Sequence, residues 1–156
     1  MTDCPLTKPD RELMRYLMMV RDSVNLPEGF HYRGAGDFLL QHARFYRPQS
    51  LPRPELHGQA KRCFVNAAMA AINGSRTGCR LYYVEGYATL VIPTHHAWCA
   101  DADGNVYEVT WRKAGTSYFG VEFLPRAMHR GTVLDDWQGG YKLYRNPFKP
   151  QREERD

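Results

Sequence analysis

The stretch that decides the fold is residues 81–111, which read LYYVEGYATLVIPTHHAWCADADGNVYEVTW. Residues 81–92 are rich in aromatic and β-branched side chains, which favour a strand, and residues 95–100 and 105–111 are predicted to be two more. The last two are separated by residues 101–104, whose Asp-Gly pair is a hairpin signal. The stretch therefore predicts consecutive antiparallel strands, and residues 118–123 predict a fourth strand.

Helices are predicted on the N-terminal side of this sheet. Residues 59–73 (QAKRCFVNAAMAAIN) are rich in alanine and contain neither glycine nor proline, so they favour a helix that Asn73-Gly74 would end. Three prolines in residues 46–58 indicate an extended connector. Residues 10–24 predict an amphipathic helix, with Asp10 as its cap and residues 26–29 as its end, and residues 36–45 predict a short second helix.

The predicted fold class is α+β, with helices packed against one face of an antiparallel sheet. A chain of 156 residues is one ordinary domain, so residues 1–156 are taken as a single unit. Its core is expected over residues 59–123. Residues 10–45 form the N-terminal helical segment, and the charged tail over residues 149–156 is expected to fray.

Composition excludes several classes of function. The net charge is +4 and the pI is near 8.9, but the basic residues are scattered along the sequence, which argues against a nucleic-acid-binding protein. No signal peptide is visible and no apolar run approaches the ~18 residues of a membrane span. A cytoplasmic protein without membrane contact is expected, and its four cysteines are expected to be free thiols. The sequence predicts no oligomeric state.

Cys63 is the candidate nucleophile. It lies near the start of the alanine-rich helix, where unpaired N–H groups and the helix dipole favour a thiolate over a thiol. Most free cysteines are simply small buried residues, so Cys63 needs partners before it can be assigned a chemical role.

His96 and Glu108 are the candidate partners, because the hairpin makes their strands antiparallel neighbours. Counted from the turn, position 96 opposes a position near 109, and a shift of one residue or a bulge would put Glu108 beside His96. A carboxylate bonded to one imidazole nitrogen fixes the tautomer and leaves the other nitrogen for the thiol. The three residues would then be nucleophile, base and orienting acid. The alternative is an ordinary surface salt link on a hairpin.

Other residues are candidates for holding a substrate. The backbone N–H of Cys63 and the side chain of Gln59 are candidate donors to an oxyanion. Glu85 and Tyr87 share a strand face and are candidate substrate-binding residues. Trp98 shares the face of His96 and is a third, although such a residue is more often part of a core.

Rival assignments exist for the base, the acid and the chemistry. His95 could replace His96, and Asp101 or Asp103 could replace Glu108, although both aspartates fall in the turn. A zinc site could be built from His95 or His96 and the cysteines at positions 63, 79 and 99. No Cys-x-x-Cys or His-Glu-x-x-His spacing is present, so neither a metal nor another cofactor is predicted.

Four short motifs occur in a familiar order: Cys63–Ala67 (CFVNA), Tyr83–Tyr87 (YVEGY), His96-Ala97-Trp98 and Glu108-Val109-Thr110. Together they resemble the transglutaminase-like and papain-like cysteine enzymes, especially small phage and bacterial members, over residues 59–112. The resemblance implies a papain-like or transglutaminase-like core, in which a central helix with the cysteine at its N-terminus packs on an antiparallel sheet.

The family's nucleophile, base and acid fall on Cys63, His96 and Glu108. The sequence departs from the family pattern at the acid, since Glu108 stands where aspartate is usual and Val109 where proline is common. The extra methylene of glutamate requires an adjustment of the strand register.

The expected function is a thiol-dependent hydrolase: a peptidase, amidase or deamidase that acts on a protein, peptide or small amide through a thioester. Two alternatives stay open. The same triad would serve an acyltransferase such as a transglutaminase, and a catalytically silent phage-type protein could sequester a host partner. A nucleic-acid-associated role, resting on the net charge alone, is the weakest hypothesis.

Overall fold

The computed structural model describes residues 4–25, 32–50, 53–76, 78, 80–123 and 134. The predictions for residues 26–29, for Cys79 and for the tail at 149–156 lie outside this part of the chain. The described elements follow in chain order: α1 (Lys8–Asp22), α2 (Ala35–His42), β1 (Arg44–Tyr46), a 3-10 turn (Pro54–Leu56), α3 (Cys63–Arg76), β2 (Tyr82–Thr89), β3 (Pro93–Ala100), β4 (Val106–Tyr107) and β5 (Ser117–Phe123).

The predicted α+β class is confirmed. The described residues form three α-helices and one five-stranded antiparallel sheet, in the order β1-β5-β2-β3-β4. No helix among them is long and apolar enough to cross a membrane.

The sheet is curled, and its two edges meet. Arg47, just after β1 at one edge, pairs with Asn105, just before β4 at the other. The Arg47 N–H donates to the Gly104 carbonyl at 2.8 Å, and the Val106 N–H donates to the Arg47 carbonyl at 3.0 Å. The sheet therefore has an inner face, enclosed by its own strands, and an outer face that the helices cover.

The inner face holds an apolar cluster of Tyr46, Val84, Ala88, Trp98, Ala100, Val106 and Tyr118. His96 points to this face, because it lies two residues before Trp98 on the same strand. Its β2 partner is Gly86, which in turn pairs with Gly120 of β5. A Cβ on Gly120 would lie 2.8 Å from the Trp98 ring, so glycine here lets the inner aromatic rings pack closely.

The outer face carries two helical layers. α3 packs over β2 and β3 through Ala67, Ala70 and Ala71. α1 and α2 cover β5 and part of β2 with a second cluster, which includes Leu13, Leu17 and Leu39. Small side chains bring α3 close to the sheet, and the start of α3 is thereby placed near β3.

The cap of α1 differs from the predicted one. Thr7 is the N-cap, and Asp10 is the third residue of a capping box, in which each side chain bonds the backbone N–H of the other. The buried Asp10 also accepts a 2.6 Å hydrogen bond from Ser117 on β5. Asp10 therefore fixes both the start of α1 and its contact with the sheet.

α3 begins four residues later than predicted and does not stop at Asn73-Gly74. The backbone turns at Lys61, which has a φ of 63°, and the first helical hydrogen bond runs from the Asn66 N–H to the Arg62 carbonyl at 2.9 Å. The helix continues to Arg76. Packing on the sheet outweighs the cost of about 1 kcal/mol for a glycine inside a helix.

The predicted strand over residues 105–111 is shorter than expected. Only Val106 and Tyr107 pair with β3, opposite Ala100 and Cys99, and the chain leaves the sheet at Glu108. Continued, this register would set residue 110 rather than 109 opposite His96. Strand β1 was not predicted, because Arg44 and Phe45 were placed in the second helix, which ends at His42, and Tyr46 was placed in the proline-rich connector.

Candidate active site

Cys63 is the first residue of α3 and is half-buried. Because the Arg62 carbonyl accepts the first helical hydrogen bond, the N–H groups of Cys63 and of the next two residues have no partner inside the helix. These groups give the helix start its partial positive charge. The thiol therefore stands where backbone donors and a favourable dipole are both available to an anion.

His96 connects Cys63 to Glu108. Its Nε2 atom lies 3.0 Å from Glu108 Oε2 and 3.2 Å from Oε1, and both residues are almost fully buried. The Cys63 thiol lies close enough to this imidazole to help raise the pKa of His96. Since Nε2 is taken by the carboxylate, Nδ1 is the nitrogen that can serve the thiol.

Glu108 is held by three further donors. Its Oε1 atom accepts from the N–H of Thr110 at 3.0 Å and of Trp111 at 3.1 Å, and its Oε2 atom accepts from the Tyr118 hydroxyl at 2.8 Å. Burial alone would raise the pKa of this carboxyl. The bonds from His96, Trp111 and Tyr118, with the charge of His96, outweigh burial and lower it. Glu108 is therefore an ionised, fixed acceptor for His96.

The pKa of His96 moves in the complementary direction. Burial favours the neutral ring and lowers the pKa, but the contacts with Cys63 and Glu108 outweigh burial and raise it above the usual 6.5. The indole of Trp111 stacks on this imidazole, with ring centroids 3.8 Å apart and planes 7° apart. An indole face attracts a cation, so Trp111 stabilises the imidazolium and covers one side of it.

A clamp centred on Asn66 holds the cysteine and the carboxylate segments together. The Asn66 Nδ2 atom donates to the Gln59 carbonyl at 2.8 Å and to Thr110 Oγ1 at 3.0 Å. The Gly58 N–H also donates to the Val109 carbonyl at 2.8 Å. The connector before α3 is thereby tied directly to the segment that carries Glu108.

The buried thiol of Cys99 makes a clear contrast with Cys63. Cys99 faces α3 and donates to the Ala67 carbonyl at 3.2 Å. Burial, with the nearby charge of Glu108, raises the pKa of this thiol to about 12. Cys99 therefore stays protonated at neutral pH and has no access to solvent.

His95, the rival base, faces the other side of β3 and belongs to a second polar cluster. Its Nε2 atom lies 3.2 Å from Glu85 Oε1, which also accepts the Leu134 N–H at 2.8 Å. Glu85 Oε2 accepts the Tyr83 hydroxyl at 2.7 Å. The His95 ring lies between Phe64 and Tyr87, 4.9 Å and 5.6 Å from their centroids. The structure thus separates two histidine–carboxylate pairs, and His96 is the histidine whose pKa the Cys63 thiol helps to raise.

The remaining predicted residues lie in different surroundings. Gln59 is exposed, and its Oε1 atom accepts from Arg62 at 3.1 Å, so its amide nitrogen is the end that can donate elsewhere. Glu85 and Trp98 are fully buried, whereas Tyr87 is half-buried. Their predicted contact with substrate stays a prediction, but in this conformation Trp98 packs in the inner cluster of the sheet and Glu85 is buried on the opposite face.

Asp101 and Asp103, the rival acids, lie in the hairpin turn and not near His96. Asp101 accepts the N–H groups of Asp103 and Asn105 at 3.0 Å and 2.9 Å. Asp101 therefore shapes the turn that aligns β3 with β4. Within the described ranges, no group of three or more His, Cys, Asp or Glu side chains could hold a metal ion.

Sequence reasoning missed Trp111 and Tyr118 as parts of the site. Both were assigned to strands, where alternation predicts a face but not a partner. Gly115, which lies between the two rings, was missed as well: its Cβ would come 3.1 Å from Trp111 and 3.2 Å from Tyr118. The turn-forming residues after Glu108 could have indicated these contacts, since a chain that turns there brings residues 108–118 back over His96.

Comparison of the chain with family models, with curated proteins and with solved structures found no match. The geometry of Cys63, His96 and Glu108 is therefore the main structural indication of a function.

Proposed function

We propose that this protein is a thiol-dependent hydrolase of amide or acyl bonds, with Cys63 as nucleophile, His96 as general base and acid, and Glu108 as the orienting carboxylate. The observation that carries the proposal is the buried His96–Glu108 pair, which lies close to the Cys63 thiol at the start of α3. The sequence resemblance to transglutaminase-like and papain-like cysteine enzymes supports the same roles.

The proposed reaction begins with the proton of Cys63 on His96. The thiolate sulfur attacks the carbonyl carbon, and a tetrahedral oxyanion forms. His96 then gives its proton to the leaving amine as the carbon–nitrogen bond breaks, which leaves a thioester on Cys63. In the second half, His96 takes a proton from water, the hydroxide attacks the thioester, and the carboxylic product leaves as Cys63 is restored.

Two groups are suited to stabilise the oxyanion. The Cys63 N–H has no partner inside the helix and adjoins the sulfur. The Gln59 side chain is the second proposed donor, through the amide nitrogen that its bond with Arg62 leaves available. Glu108 stays ionised throughout, because three donors besides His96 hold its charge.

The same chemistry permits acyl transfer if an amine replaces water at the thioester. Hydrolysis is the simpler proposal, because capture of an amine needs a site that excludes water. The two outcomes separate on a trapped acyl-enzyme: added amines accelerate its breakdown and appear in the product only if the protein is an acyltransferase.

The first test measures the rate at which iodoacetamide alkylates Cys63 as a function of pH, resolved by mass spectrometry. We expect Cys63 to be labelled below pH 7 at least about tenfold faster than the exposed Cys4, because an imidazolium beside it stabilises the thiolate. His96→Ala should abolish this advantage, whereas Glu12→Gln on the exposed face of α1 should not. Equal labelling of Cys63 in the parent and in His96→Ala would contradict the proposal.

A further inference from the structure

We propose that the substrate of this site is anionic, and specifically an acidic segment of a peptide or protein. The inference rests on the proposed function and names the substrate class of the same site. Its basis is a basic rim of four exposed side chains on the two segments that enclose the site: Lys61, Arg62, Arg112 and Lys113.

The rim follows from the placement of the two segments. Lys61 and Arg62 immediately precede Cys63, and Arg112 and Lys113 immediately follow Trp111, whose ring stacks on His96. Two residues of chain reach at most about 7 Å, so the backbone of each rim residue lies within about 7 Å of that of Cys63 or Trp111. The Asn66 clamp fixes the two segments side by side.

The rim carries positive charge that nearby acids do not cancel. In the part of the chain that the structure describes, none of the four side chains forms an ion pair. The rim's one hydrogen-bonded side chain, Arg62, bonds the neutral amide of Gln59. Glu108 is the nearest acid in sequence, but its charge is buried and offset by His96. A cluster of like charges around a cleft raises the local concentration of an oppositely charged ligand.

The backbone at Lys61 adds a second observation. With a φ of 63°, Lys61 is the only described residue other than glycine with a positive φ. Such a conformation is uncommon for lysine, and strained positions of this kind concentrate at functional sites. Here it turns the connector into α3, and the turn brings the Lys61 and Arg62 pair beside Cys63.

An acidic peptide fits the site better than a nucleic acid, because the proposed chemistry needs an acyl or amide carbonyl beside the anionic groups. Glutamate or aspartate residues flanking such a carbonyl would meet the rim while the carbonyl meets Cys63.

The test compares two reactive peptides of equal size, N-iodoacetyl-Gly-Glu-Glu-Glu-amide and N-iodoacetyl-Gly-Gln-Gln-Gln-amide, in their rates of alkylating Cys63. We expect the acidic peptide to react on the order of tenfold faster at an ionic strength of about 0.01 M, and its advantage to fade near 1 M, where charges are screened. The variant Lys61→Gln with Arg112→Gln and Lys113→Gln should lose most of the advantage. Arg62 is left in place because it contacts Gln59.

The matched control removes three exposed charges from the α1 and α2 layer, through Lys8→Gln, Arg15→Gln and Arg33→Gln. It has the same net charge as the rim variant and should keep the full advantage. Iodoacetamide is neutral, so the two peptide rates of each protein are divided by that protein's own iodoacetamide rate, which removes any difference in the intrinsic reactivity of the Cys63 thiol. An acidic advantage that is absent in the parent, or unchanged in the rim variant, would overturn the inference.

A competition measurement decides between acidic peptide and nucleic acid. Stronger protection of Cys63 by a twelve-nucleotide oligothymidine than by a twelve-residue polyglutamate, about equal in charge, would overturn the peptide assignment. Failure of the proposed function has a separate signature, namely iodoacetamide labelling of Cys63 that does not depend on His96. The ratio of the two peptide alkylation rates does not depend on catalytic turnover. It therefore reports on the basic rim whether or not the protein is a hydrolase.

Discussion

At the scale of single residues, the main feature of the candidate site is the buried carboxylate of Glu108, which accepts hydrogen bonds from four donors. Glu108 accepts hydrogen bonds from His96, Thr110, Trp111 and Tyr118. A buried charge is tolerable only when it is paired and hydrogen-bonded. These partners explain why Glu108 can stay ionised beside His96. They also explain why substitution of Glu108 should lower both the free energy of unfolding and the reactivity of Cys63.

We expect Glu108→Gln to lower the free energy of unfolding by about 3 kcal/mol, because it leaves a buried imidazole without its counter-charge. The difference from the parent should depend on pH. The pKa of Glu108 is lowered, so its contribution is present above its usual 4.5 and is lost as pH falls through the folded value. The pKa of His96 is raised, so its contribution is complete below 6.5 and is lost as pH rises through the folded value.

The difference should therefore be largest between about pH 4.5 and 6.5. Urea unfolding of both proteins across the pH range measures it. Glu12→Gln is the control, since Glu12 forms only an exposed contact with Lys8 and should change the stability by less than about 1 kcal/mol. A difference for Glu108→Gln that does not vary with pH would show that the ion pair is not its cause.

The sequence indicated Cys63, His96 and Glu108. The structure pairs His96 with Glu108 and places Cys63 at the start of α3, and the catalytic roles of the three stay a prediction. These residues could be indicated from the sequence because helix starts, hairpin turns and imidazole–carboxylate pairing are local patterns. The mode of contact was not predictable in the same way. Glu108 was expected to face His96 across a strand ladder, whereas the chain leaves the ladder after Tyr107 and Glu108 lies beyond it. Trp111 contacts the imidazole because the chain folds back after Glu108, and no periodic pattern in the sequence predicts that fold-back.

At the scale of secondary-structure elements, the important relation is between the start of α3 and the segment after β4. No strand pairing connects them, so the alignment of Cys63 with the Glu108 segment depends on side-chain and backbone bonds. Asn66 supplies two of these bonds from one amide group. A residue one turn into the helix therefore governs geometry at the helix start.

We expect Asn66→Ala to reduce the rate of Cys63 alkylation several-fold and to cost about 1–3 kcal/mol of stability, because two acceptors lose their donor. Alkylation kinetics and urea unfolding measure the two effects. Gln41→Ala is a suitable control: it removes an exposed amide bond to Asp37 on α2, away from the site. If Asn66→Ala lost stability but kept the full reactivity of Cys63, the clamp would be structural only.

Prediction of the elements was most successful where local composition agreed with packing, as in α1 and β3. It was wrong at the end of α3, where Asn73-Gly74 was taken as a stop. Packing against the sheet stabilises α3 beyond what the helix propensities of its residues predict, and the helix continues to Arg76. The three-residue strand β1 was missed because β5, its ladder partner among the described strands, lies more than seventy residues further along the chain.

At the scale of the whole molecule, closure of the sheet gives the site an enclosed side. The bridge between Arg47 and Asn105 joins the two edges, and the inner face then encloses Trp98, Tyr118 and His96. Without closure this face would be open to water, and the environment that favours the His96–Glu108 pair would be lost.

We expect Arg47→Pro to lower stability by about 3 kcal/mol, because proline removes the N–H that bonds the Gly104 carbonyl. Arg47→Ala keeps that N–H and loses only an exposed side-chain bond to the Asp103 carbonyl, so it should cost less than about 1 kcal/mol. Thermal unfolding of both variants measures the difference. Equal losses would mean that the bridge contributes little to closure.

The order of the site residues along the chain also determines at what stage of synthesis and folding the site can form. During synthesis Cys63 emerges first, then His96, then Glu108, and Tyr118 of β5 only after these. The thiol has no proposed base until β3 is in place, and His96 has no fixed carboxylate until the residues after β4 have folded back over it. The proposed chemistry therefore begins only when β5 has joined the sheet.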